Sequence, residues 1–175
     1  MFWRYLFIIL LVFAIFLNPG SVFAESSYVL PYPSAMPGSI FYKLNLIQEE
    51  FLKYWYFGDF AQFKYNLAES DKYLVEAKTL FDYKQYLLGY LALQKSNSYY
   101  KKIKPALISA ENNKKEIKDK VDILFSASQK HIEELSGMRD RVPAAFNWSP
   151  EKQKPQQLDL RNLINQSIEI RLDGI

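Results

Sequence analysis

His131 is the only imidazole in the chain, and cysteine is absent. A single histidine removes every multi-histidine metal site and most nucleophile-and-base arrangements, and the missing thiols rule out zinc–thiolate centres. Ser128, His131 and Leu135 share a register, so the imidazole is expected in a helical core with one hydrogen bond to a neighbouring helix. Glu49-Glu50 and Glu133-Glu134 are adjacent pairs. Neighbours on a helix project about 100° apart and do not converge on one bond, as an acid and a base must. Asp71 interrupts an apolar stripe beside Ser70, which calls for a cation or a tyrosine hydroxyl as its partner. There is no phosphate-cradling glycine loop, His-Glu-x-x-His or nucleophile elbow. No catalytic, cofactor-binding or metal residue is therefore assigned, and no enzyme is expected.

Tyrosines carry the remaining chemistry. Beyond Tyr5, all of them lie between Tyr28 and Tyr100. Tyr83, Tyr86, Tyr90 and Tyr100, set against Tyr54, Trp55 and Tyr56, would line a groove for a glycan or a peptide, because a ring with a polar tip suits both. The plainer expectation is that these rings fill a helical core and lay their hydroxyls at its rim.

Helices must position these groups. Pro31, Pro33 and Pro37 keep residues 25–38 extended. Gly38 and Ser39 then start a helix in which Ile40, Leu44, Ile47, Phe51 and Trp55 recur at spacings of 4, 3, 4 and 4. Gly58 ends it, and Asp59 with Gln62 has the pattern of a capping box. Phe60, Phe63, Leu67, Leu74 and Phe81 make the second stripe, and Asp82 with Gln85 repeats the start signal. The third helix is expected to run from Tyr83 to Leu107 and to kink at Pro105. After a break at Asn112-Asn113, the fourth carries Ile117, Val121, Leu124, Ser128, His131, Leu135 and Met138. Connections this short fold helices back on one another. The fold class expected is all-α: an antiparallel bundle of three tightly connected helices plus a longer fourth over residues 39–141, with a flexible or weakly helical tail at 142–175. In the tail, Leu160, Ile164, Ile168 and Leu172 recur four apart as in a helix, while Ile168, Ile170 and Leu172 alternate as in a strand. A short helix near 158–171 is expected, since a single strand would have no partner in a helical chain.

Residues 1–24 have the anatomy of a secretory signal peptide. Arg4 precedes an apolar run from Tyr5 to Leu17, Asn18-Pro19-Gly20 breaks it, and Val22 and Ala24 precede the cleavage point. A run of 13 residues is short for a membrane span, which needs about 20. Cleavage leaves no spanning segment; an uncleaved leader would tether the chain to the membrane. Charge is nearly balanced, 22 basic against 19 acidic side chains, without the clustered basic face that nucleic acid requires.

"MPGSIFYKLN", "FGDFAQFKYNLAESDKYLVEAKTL" and "ASQKHIEEL" together resemble the secreted helical family named domain of unknown function 5667, from bacteria of the candidate phyla radiation. Met36, Pro37, Gly38, Ser39 and Tyr42 match its first pattern. Asp71, Lys72, Leu74, Glu76 and Ala77 match its second, and Lys130, His131 and Ile132 its third. Ile40 replaces a frequent proline, Ser70 an alanine and Tyr73 an arginine, which removes any ion pair that arginine would make. The resemblance covers Val29 to Met138 and implies an extracytoplasmic helical domain, with no activity attached. The expectation is an exported, non-enzymatic structural or interaction module of the bacterial cell envelope, with an envelope protein as its partner. The alternative is a glycan- or peptide-binding module.

Overall fold

The computed structural model describes residues 27–33, 36–152 and 154–174, so the expected signal peptide lies outside the described residues. The protein is mostly helical. Its elements are α1 (Ile40–Trp55), α2 (Asp59–Asp82), α3 (Tyr86–Tyr100), α4 (Ile103–Asn112), α5 (Lys118–Arg141), β1 (Ala145–Trp148), β2 (Gln156–Asp159) and α6 (Leu160–Leu172). Among the described residues no helix is long and apolar enough to cross a membrane.

The helix boundaries follow local chemistry. Gly38 turns the chain into α1 at φ +102°, which a Cβ disfavours. Asp59 is the first residue of α2 and not its cap, so the expected capping box does not form. Gln62 Nε2 donates to the Tyr56 carbonyl instead. The Asp59 carboxylate accepts from Asn113 Nδ2 at 3.0 Å and Lys115 Nζ at 2.9 Å, tying the start of α2 to the loop after α4. Asp82 closes α2 and does not cap α3.

The helix expected to run through Pro105 is two helices. Proline supplies no N–H to the Lys101 carbonyl and its ring crowds that oxygen. The chain therefore turns at Lys101-Lys102, which leaves Pro105 in the first turn of α4, where no intrahelical donor is needed.

α2 is the central element, buried from Phe63 to Phe81 and packed by α3, α4 and α5. α3 meets it through small residues, Gly89, Ala92 and Ser96, and not through a tyrosine seam. A Cβ on Gly89 would stand 2.6 Å from the Phe81 ring, so glycine allows this approach. Among the described residues, no side chain of α1 belongs to either apolar cluster of the core.

The C-terminal segment is part of the core and not a loose tail. β1 and β2 pair antiparallel with Phe146 opposite Leu158, and the Phe146 ring lies 4.9 Å from that of Tyr86. Asp159 caps α6 by accepting from the Asn162 N–H at 3.0 Å. Leu160, Ile164 and Arg171 are then fully buried against α3 and α5.

Candidate functional site

Three arrangements of polar or exposed side chains stand out, and α2 organises two of them. The first is sealed. Where the apolar stripe of α2 is interrupted, the Asp71 carboxylate accepts from the Tyr28 hydroxyl at 2.6 Å through one oxygen and from His131 Nε2 at 2.7 Å through the other. On the far side of the imidazole, Arg171 Nε lies 3.5 Å from Nδ1. A carboxylate only accepts and a guanidinium only donates, so this geometry places the proton on Nε2 and leaves Nδ1 bare. Burial favours the same neutral ring by pushing the His131 pKa down.

Arg171 also donates to Asn97 Oδ1, to Ser96 Oγ at 2.7 Å and to the Ser167 carbonyl at 3.2 Å. Its guanidinium stands 4.7 Å from the Tyr100 ring centroid. Burial lowers its pKa to about 10, which still leaves it charged at neutral pH. With His131 and Arg171 wholly inside, no substrate reaches the group. It joins α2, α3, α5, α6 and the lead segment as a satisfied interior network.

The second arrangement lies between α1 and the body. Lys72 Nζ and the Tyr73 hydroxyl both donate to the Glu49 carboxylate, and the Tyr65 hydroxyl donates to the Glu49 carbonyl at 3.2 Å. The Tyr42 hydroxyl donates to Glu76 Oε1 at 3.1 Å. Behind these bonds the second oxygens of Glu69 and Glu76 are buried without a hydrogen bond, although Lys72 Nζ lies 3.9 Å from the Glu69 oxygen. Burial raises the Glu69 carboxyl to about 7 and raises Glu76 as well. Tyr73 stacks on Tyr99 with centroids 5.8 Å apart. A cleft of about 550 Å³ opens beside this pair, lined also by Ile47, Glu49, Lys95 and Lys102.

The third arrangement follows from the second. Because α1 turns Tyr42 and Glu49 inward to bond with the polar side of α2, its apolar stripe faces outward. Ile40, Leu44, Ile47, Phe51 and Trp55 are between 56% and 79% exposed. The expectation that this stripe enters the core is thus reversed. The surface of α2 that α1 meets carries carboxylates, a lysine and hydroxyls, which need polar partners. The apolar side of α2 is already covered by α3 and α4.

The residues nominated from sequence do not share one concavity. Tyr54 and Trp55 are exposed at the end of α1, and Tyr83 is exposed in the turn after α2. Tyr56 stacks on Tyr65 at 5.1 Å. Tyr86 and Tyr90 are half-buried against the core. Tyr100 is buried with its hydroxyl on Ser128. Tyr100 borders a small cavity of about 190 Å³ near Gly174, and none of the seven lines the larger cleft beside Tyr73 and Tyr99.

The tyrosines that do gather are Tyr42, Tyr65, Tyr73 and Tyr99. Their signal in the sequence was a second stripe on α2, Tyr65, Glu69, Lys72 and Glu76, spaced 4, 3 and 4 beside the apolar one. Among the described residues no three acidic or histidine side chains cluster to hold a metal ion. No protein-family model, no curated protein and no solved structure matches the chain.

Proposed function

We propose that this chain is an exported, non-enzymatic interaction module of the bacterial cell envelope whose contact surface is the outward face of α1. One observation carries the reading: a helix fastened to the body by its polar side presents five large apolar side chains to solvent. Exposed apolar strips of this size mark contact surfaces in folded proteins. The leader-like residues 1–24 and the absence of cysteine accord with export followed by cleavage after Ala24. Kinship with the secreted helical family 5667 belongs to the same reading; the His131 of its third pattern lies in the interior network. In this arrangement α2 and α3 run antiparallel, and α5 lies alongside them.

The test is cell fractionation combined with a photo-crosslinking residue. The protein is expected outside the cytoplasm, and a crosslinker at Phe51 should form discrete adducts on intact cells while one at Gln94, exposed on α3, should not. Equal labelling at both sites, or recovery in the cytoplasm, overturns the reading.

A glycan or peptide ligand is favoured by one feature, the cleft beside the stacked Tyr73–Tyr99 pair with Lys95 and Lys102 at its edge. It requires that Tyr99→Ala abolish binding of an envelope oligosaccharide or peptide measured by calorimetry.

A further inference from the structure

The face of α1 also indicates what covers it, an inference that rests on the contact-surface reading above. The apolar strip is narrow. Lys43 borders it on one side and Gln48 on the other, both exposed, and its spacings of 4, 3, 4 and 4 are those of a helix packed on a helix along a seam. A helix lying on a bilayer needs a lysine-rich face turned to water opposite its apolar one. In α1 that opposite face is occupied by Tyr42 and Glu49, which are bonded to α2.

Area points the same way. The five side chains expose on the order of 700 Å², taking about 150–250 Å² for each aromatic. A standard interface buries about 800 Å² per partner. The strip is thus large enough for one face of a stable dimer.

We infer that α1 pairs with α1 of a second copy of this chain, about a twofold axis near Ile47. Such an interface is isologous and closes at the dimer.

Sedimentation of the exported protein, recovered from outside the cytoplasm, tests this. A dimer is expected, and Phe51→Glu should weaken it at least tenfold without altering the far-ultraviolet spectrum. The chain has no native thiol, so Ile47→Cys gives a second readout. A cysteine next to the twofold axis should cross-link to its own copy under mild oxidation, whereas Gln94→Cys should not.

A monomer at every concentration overturns the inference, as does a dimer indifferent to Phe51→Glu. A monomer that sediments with anionic phospholipid vesicles through Phe51 also overturns it, in favour of a lipid surface. In these cases the contact-face reading stands as long as position 51 still crosslinks in cells and Gln94 does not. Equal labelling at the two positions removes that reading and the inference together.

Discussion

Replacing Arg171 by methionine isolates the interior network. Methionine keeps the apolar stem and leaves little empty volume, so the loss is mainly electrostatic. Asn97 Oδ1 and Ser96 Oγ lose their donor, and the Asp71 carboxylate keeps only the neutral Tyr28 and His131 groups. Removing one member of a buried charged pair costs about 3–5 kcal/mol. With a urea dependence of about 2 kcal/mol per molar for a chain of this size, the midpoint should fall by about 2 M. Asp71→Asn strands the guanidinium and should cost a similar amount. The double variant should cost about 1–3 kcal/mol less than the two singles added, because each removes what the other would leave unpaired. Arg141→Met is the control. It breaks an exposed pair with Asp82 at 3.2 Å, worth at most about 1 kcal/mol. Urea titrations followed by circular dichroism give all four values. A loss below about 1 kcal/mol for Arg171→Met, or strict additivity with Asp71→Asn, would show that α6 does not close the core as described.

Two further outcomes rest on the polar side of α2 and on its contact with α3. Burial raises the Glu69 carboxyl from 4.5 to about 7, so the folded state holds that proton more tightly than the unfolded one. Its contribution is complete below about pH 4.5 and is lost as pH rises through about 7. Glu69→Gln should therefore match the parent near pH 4.5 and exceed it by about 1–3 kcal/mol at pH 8, measured by urea midpoints at both values; no gain at pH 8 refutes the assignment. Gly89→Ala drives a methyl into the Phe81 ring and should cost about 1–3 kcal/mol in thermal melts. Phe81→Leu in the same chain should recover part of that loss, and an unchanged melting temperature for Gly89→Ala refutes the close approach.

Punctuation residues made much of the helical layout legible. Gly38, Gly58 and Asn112-Asn113 fall at the observed boundaries because glycine geometry and weak helix formers act locally, whatever the tertiary setting. Asp71 and His131 were readable as interior residues from their register alone. The orientation of α1 was not readable. Periodicity shows which side chains share a face but not whether that face is covered, and here the polar face found partners on Glu76, Lys72 and Tyr73. Arg171 gave no signal either. It sits in Ile168-Glu169-Ile170-Arg171-Leu172, an alternation that reads as strand, and its acceptors Ser96 and Asn97 lie on another helix. The split at Pro105 was half legible: the residue was visible, but whether it kinked or broke the helix depended on the turn at Lys101-Lys102.

Leu160, Ile164 and Arg171 fill a slot between helices made much earlier in the chain. A polypeptide emerging N-terminus first must carry that slot open, with the Asp71 carboxylate held only by Tyr28 and His131, until α6 has been made. Closure of the core therefore waits on α6, and a chain cut before Leu160 would leave Ser96, Asn97 and His131 facing an open slot.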